Sequence, residues 1–164
     1  MTSAQKRSDS STAKAPLTEA SRARLTEIVA ELKRRETLRS ESLADFVPRV
    51  SPQFVAPLHL APALDVFERI ARGERVRACI SIPPQHGKTE AVLHALAWLL
   101  RRRPDWTFAF ATYQQEQSDD KSHAARDIAR RAGVALSADR ANLRFWRTGD
   151  RGGCLFTAVG GPFT

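Results

Sequence analysis

The sequence predicts an α/β fold, and three observations carry the prediction. An apolar run of strand type, Val76 to Ile82, breaks at Pro83-Pro84 and passes through Gly87-Lys88-Thr89 into a run of helix formers, Glu90 to Leu100. A second apolar and aromatic run, Trp106 to Thr112, follows directly after Pro104. A seam of helical spacing then precedes an alternating pattern around Gly149-Asp-Arg-Gly-Gly153. Strand, helix and strand in this order make the βαβ unit of a parallel sheet, right-handed by the usual rule.

A chain of 164 residues with 42% hydrophobic content is expected to form one domain with a packed core. Residues 1–16 are rich in Ser, Thr, Ala and Lys and are expected to be a disordered tail, either plainly solvated or touching DNA through its basic residues. Residues 17–50 form a helical segment. Thr18 to Arg35 reads as its main helix, with Thr18 as cap and Leu25, Ile28, Val29 and Leu32 as one apolar stripe. That stripe packs on the body, on a partner subunit or on itself. Glu41 to Val47 carries a short helical turn, which Pro48 should end.

Residues 51–164 hold the α/β part. A helix begins between His59 and Pro62, runs to Ala71 and stops at Gly73, with Leu64, Phe67 and Ile70 facing in. Arg101-Arg-Arg103 complements the carboxyl-terminal dipole of the helix after the loop, and Pro104 enforces its end. Tyr113 closes the second strand at the end where open α/β sheets bind ligands, so it lies near a ligand or is a plain rim residue. Gln114 to Ala132 is a polar helix with Ala124, Ala125, Ile128, Ala129 and Ala132 as its seam, ended by Gly133. Asp119, Asp120 and Asp127 read as a solvated charged face rather than as catalytic carboxylates, because His123, Arg130 and Arg131 follow them at helix-neighbour spacings. Asn142 to Thr148 and Cys154 to Val159 make a β-hairpin. Its Arg144, Arg147 and Arg151 form a basic face toward DNA or an ordinary solvated one.

The loop asks for chemistry of a particular kind. Phosphate oxygens must meet several backbone N–H groups at once, and a helix amino terminus supplies them with a favourable dipole. Gly87 lets the backbone approach closely and take positive φ. Lys88 puts an ammonium on the outer phosphates, and Thr89 offers a hydroxyl to Mg²⁺. The full pattern places glycine five residues before Gly87, where this chain has Ile82, and an ordinary strand-to-helix turn is the competing reading. The candidate ATP-binding residues are Pro84, Gln85, His86, Gly87, Lys88, Thr89 and Glu90, and the candidate Mg²⁺ ligand is Thr89.

The net charge of +8 favours polyanion partners, double-stranded DNA among them, or simply solvates the surface. Cys79 and Cys154 lie in apolar runs and read as buried free thiols without metal spacing. The longest apolar run, Ala91 to Leu100, is about half the length of a membrane span and contains His94. No apolar signal segment follows Met1, so the expected location is cytoplasmic, with no membrane partner.

Several separated stretches resemble one family in its order. Pro57-Leu-His-Leu60, Ile80-Ser-Ile-Pro-Pro-Gln-His-Gly-Lys-Thr-Glu90, Trp98-Leu-Leu-Arg-Arg-Arg-Pro-Asp105, Phe110-Ala-Thr-Tyr113 and Ala158-Val-Gly-Gly-Pro-Phe-Thr164 are similar to the ATPase domain of the large terminase subunit of tailed phages. The resemblance covers about residues 54–164. It implies a partial P-loop ATPase, a parallel sheet with helices on both faces, in a motor that drives DNA into capsids with ATP. It also implies a small terminase subunit and a portal as partners, and a ring of like subunits. His59 is then the candidate for a base contact, against a surface or capping role.

Where the family often has arginine acting on the γ-phosphate, this chain has Gln85. The family's acidic pair, which holds Mg²⁺ and activates water, would fall on a strand after Thr164. The resemblance therefore implies the amino-terminal, truncated piece of a terminase, with no catalytic base to name. An isolated chain of this kind is expected to aggregate or to need a partner, because the sheet lacks that strand. The competing readings are a non-catalytic remnant, a basic DNA-binding module, and a helicase-like P-loop ATPase outside packaging.

Overall fold

The computed structural model describes residues 18–55, 57–138 and 142–159, without the side chains of residues 35, 38 and 39. The expected tail (1–16) and the closing Gly-Gly turn (160–164) lie outside the described residues. The chain divides into two units, Met1–Glu36 and Thr37–Thr164.

The first unit contains most of helix α1 (Glu19–Ser40). Thr18 caps it as expected, its hydroxyl oxygen accepting from Ser21 N–H at 3.3 Å. The stripe of Leu25, Ile28, Val29 and Leu32 is exposed. Arg34 grips Glu31 one turn back through two hydrogen bonds of 2.8 and 3.0 Å.

In the second unit, α2 (Leu43–Val50) opens at Ser42, whose side chain accepts from Asp45 N–H at 3.1 Å. Pro48 does not end this helix but lies inside it. Proline forfeits one backbone hydrogen bond, yet the apolar face of Leu43, Phe46, Val47 and Val50 is buried, and Ser51 N–H closes the last turn on Val47 O at 2.9 Å. Burying those side chains is worth roughly 1.5–3 kcal/mol each, which outweighs the lost bond.

A 3₁₀ turn (Leu58–Leu60) feeds α3 (Ala61–Ala71), with Pro62 in its first turn and Gly73 at φ +88° beyond its end. Helix α4 (Lys88–Arg102) starts two residues earlier than its pattern suggested and buries nearly everything from Ala91 to Leu100. It packs against α2, α3 and α5 (Gln115–Arg131). The seam of α5 is buried as expected at Ala125, Ile128, Ala129 and Ala132. Gly133 terminates it at φ +78°, where its own N–H and that of Val134 reach back to Arg130 O and Ala129 O, both at 2.9 Å.

The sheet corrects the expected topology. Its described strands are β1 (Thr107–Thr112), β2 (Phe145–Arg147) and β3 (Gly153–Ala158), in the order β1-β3-β2. β1 and β3 are parallel, from Thr107 opposite Gly153 to Thr112 opposite Ala158, and β2 pairs antiparallel to β3 as the expected hairpin. The sheet is thus mixed rather than parallel. The strand expected at Val76–Ile82 is not among its members: residues 74–83 are neither helical nor paired into a ladder. The parallel partner of 107–112 is the hairpin's second strand, and the crossover between them runs through α5.

Helix α5 packs on β3 and β1. The other face of β1, carrying Thr107, Ala109 and Ala111, is exposed, so the expected cover on both faces is missing there. At the hairpin turn Gly152 donates to Pro104 O at 3.1 Å. A Cβ on Gly152 would run into the backbone of Pro104, Asp105 and Trp106, so only glycine lets the turn close on the start of β1. Among the described residues the chain is α/β, with five α-helices and a small mixed sheet of three strands.

Candidate phosphate-binding loop

The loop between residue 83 and α4 is built by two positive-φ residues in the space of three. Gln85 has φ +64° and Gly87 φ +78°, with Gly87 as the residue before the first turn of α4. A side-chain residue in this region costs about 1 kcal/mol, so Gln85 holds its conformation against a local preference. His86 between them folds back, its Nδ1–H donating to Pro84 O at 2.7 Å.

Gly87 is required twice over. Its φ suits glycine, and a Cβ there would sit 3.2 Å from Phe54 Cε2 and 3.3 Å from Leu60 Cδ1. The loop therefore rests on an apolar floor of Phe54 and Leu60, supplied by the segment before α3. The same segment secures the loop from the side. His59 Nε2–H donates to His86 O at 3.2 Å, and the two imidazoles meet edge to face with centroids 5.6 Å apart.

Gly87 offers α4 no side-chain cap, so among the described residues the first amides of the helix, from Lys88 to Glu90, are left to other acceptors. Lys88 is exposed, Thr89 and Glu90 are half-buried, and Pro84, Gln85 and His86 are exposed. The seven residues singled out from the sequence are thus contiguous around one uncapped helix start. Chemically the arrangement offers an anion several amides, a helix dipole, an ammonium and a hydroxyl. These residues fit a Mg-nucleotide: Gly87 gives a close approach, and the Thr89 hydroxyl is an oxygen ligand of the type Mg²⁺ takes. Among the described residues, no group of three or more His, Cys, Asp and Glu is placed to hold a metal.

Beneath the loop lies a histidine whose role the sequence did not disclose. His94 on α4 is fully buried, its Nδ1–H donating to Glu90 O at 2.8 Å and its Nε2 accepting from Ser51 Oγ–H at 2.8 Å. Burial pushes its pKa below the ordinary histidine value, against the opposing pull of Glu90. Phe54 stacks on it at 5.4 Å and 19°. Phe54, Ser51 and His94 left no motif in the sequence. The one available signal was a histidine inside an otherwise apolar helical run.

Other candidates lie elsewhere. Tyr113 is 84% exposed at the end of β1, beside Val159, whose N–H donates to Thr112 O at 2.8 Å. Asp119 accepts from Gln115 Nε2 at 2.7 Å, and Asp127 pairs with Arg130 at 3.2 Å on the surface, in keeping with a solvated charged face. Arg144 and Arg151 are exposed on the hairpin, while Arg147 lays its guanidinium 5.3 Å over Phe145. Cys154 is buried as expected, but Cys79 is exposed, because its segment never enters the sheet.

No protein-family model matches this chain, and no curated protein or solved structure matches it either. No described helix is long and apolar enough to cross a membrane.

Proposed function

We propose that this chain binds Mg-ATP at the loop from Pro84 to Glu90, as the amino-terminal ATPase part of a DNA-packaging large terminase subunit of tailed phages. The observation that carries the reading is the uncapped start of α4 behind a left-handed Gly87, with Lys88 exposed and Thr89 next to it. The order of motifs from Pro57 to Tyr113 supplies the family.

The backbone amides at Gly87 to Glu90 hold the phosphates, and Lys88 neutralises the outer ones. Thr89 holds Mg²⁺, which supplies charge neutralisation on the phosphate oxygens when bound. His59, bonded to the loop carbonyl of His86, is the proposed base contact. Gln85 in place of arginine leaves the γ-phosphate without a second cation, so binding rather than fast hydrolysis is the activity expected of this chain. Double-stranded DNA, a small subunit, a portal and further copies of the chain are the proposed partners.

Calorimetry with Mg-ATP tests the reading. Wild type should bind, and Lys88→Ala should weaken binding roughly ten- to a hundred-fold, the worth of a lost charge-assisted contact. A wild-type chain with neither binding heat nor a thermal shift sinks the proposal. The net charge of +8 and the exposed Arg144 and Arg151 favour a second reading, a basic nucleic-acid-binding module. Salt-dependent affinity for duplex DNA without nucleotide binding would select it.

A further inference from the structure

The phosphate loop has no regular structure before α4, yet two of its residues hold positive φ. Something beneath must back it. Three groups stand in line below Gly87. The Phe54 ring is the first, with Cε2 and Cζ at 3.2 and 3.3 Å from where a Cβ on Gly87 would lie. The His94 ring is the second, nearly parallel to Phe54 with centroids 5.4 Å apart. The Ser51 hydroxyl is the third, 2.8 Å from His94 Nε2.

The tautomer follows from the partners. The Glu90 carbonyl only accepts, so Nδ1 carries the proton, and Nε2 is left to accept from Ser51. Both ring nitrogens are thereby satisfied in a fully buried site, and the plane of the imidazole is pinned from two sides. Phe54 stacks on that plane, and its Cε2 and Cζ lie against the place a Gly87 side chain would take. Its own backbone is tied to the same anchor, Phe54 N–H donating to Ser51 O at 2.8 Å.

We infer that His94 is a positioning residue for the phosphate loop, acting through the Phe54 ring on Gly87. Its functional meaning rests on the nucleotide reading above. Its physical content does not: the imidazole plate sets the height of the Phe54 ring, and the ring sets how far the Gly87 backbone can sink toward the core. Close packing transmits the constraint, because Phe54 meets both the His94 ring and the place a Gly87 side chain would take.

Amide hydrogen exchange on the full chain, without nucleotide, tests this directly. His94→Gln removes the ring but keeps an acceptor for Ser51. It should speed exchange about tenfold at the Ala91 amide, which donates to Gly87 O at 2.9 Å, while α5 and β3 keep wild-type protection. His94→Phe restores a ring and should bring the Ala91 amide back close to its wild-type rate. In a Phe54→Ala background, His94→Gln should add nothing further, because the link it acts through is gone.

The inference is overturned if His94→Gln leaves the Ala91 amide unchanged, if it speeds Ala91 and α5 alike, or if its effect adds in full to that of Phe54→Ala. Calorimetry with Mg-ATP on the same proteins separates the two levels. A wild type without binding heat removes the nucleotide reading and leaves the exchange result to stand or fall by itself.

Discussion

Two apolar stretches lie on either side of the loop and meet opposite fates. Helix α4 is buried almost throughout, with Trp98, Leu93 and Leu100 among the most deeply buried side chains of the second unit. The segment from residue 74 to 83 is as strand-like in composition, yet it pairs with nothing described and leaves Arg77, Ala78, Cys79 and Ser81 exposed. Only Val76, Ile80 and Ile82, at alternating positions, are half-buried. A helix satisfies its backbone internally, so an apolar face is enough to bury it. A strand needs a neighbour's edge as well. The difference teaches that hydrophobicity recruits a helix to the core but cannot by itself recruit a strand to a sheet.

The comparison can be broken most sharply by truncation. Trp98→Ala should cost about 3–5 kcal/mol, since it empties a core site and removes the hydrogen bond from Trp98 Nε1 to the Glu41 carbonyl at 3.0 Å. Ile80→Ala should cost less than about 1 kcal/mol. Urea denaturation midpoints at constant slope decide it, and a cost at Ile80 as large as that at Trp98 would make the 74–83 segment a core strand after all.

Glu41 sharpens the account of how α4 is held. Its carboxylate bonds Arg101 at 2.7 Å and Arg49 at 2.5 Å, and its carbonyl accepts from Trp98 and Arg102. Glu41→Gln should destabilise by about 1–2 kcal/mol, because the half-buried Arg101 guanidinium loses a charged hydrogen bond, while the exposed Arg49 adds little. Thermal melting of the two proteins gives the number.

A smaller effect comes from acid. His94 titrates below its ordinary value when folded, chiefly through burial, with Arg131 adding to the shift and Glu90 opposing it. The unfolded chain therefore takes up the proton first. Stability from this group is complete above the unfolded value of about 6.5 and is lost as pH falls toward the folded one, with a slope of up to about 1.4 kcal/mol per pH unit. Denaturation across pH 5 to 8 should show that slope in wild type, and His94→Gln should remove it.

The smallest expected effect is the most discriminating chemically. Cys79→Ser should change stability by no more than about 0.5 kcal/mol. In the native protein a thiol reagent should modify Cys79 and spare Cys154, whose burial also pushes its thiol pKa up. Two reactive thiols before unfolding would put β3 at the surface, contrary to the sheet described above.

Much of the fold was legible because its signals are local. The seam of α5, the stop at Gly133, the entry of α3 through Pro62 and the hairpin around Gly152 depend on residues within a few positions of one another. The loop was legible for the same reason: Gly87, Lys88 and Thr89 are consecutive and announce a helix start. Pro48 was misjudged because its local cost is overridden by the burial of Phe46, Val47 and Val50 across the unit. Phe54 and His94 stayed hidden because forty residues separate two rings that touch only after folding.

What the sequence determined by itself, then, is that helices form at α3 and α5, that Gly73 and Gly133 end them, and that Gly87-Lys88-Thr89 marks the start of α4. These follow from capping, periodicity and backbone freedom, all of short range. The tertiary structure alone decided that 107–112 pairs with 153–158 and not with 76–82, that Cys79 is exposed while Cys154 is buried, and that the Phe54 ring meets both His94 and the Gly87 turn. Those outcomes depend on which distant edges and faces meet, and an apolar run states only that it wants a partner, not which one.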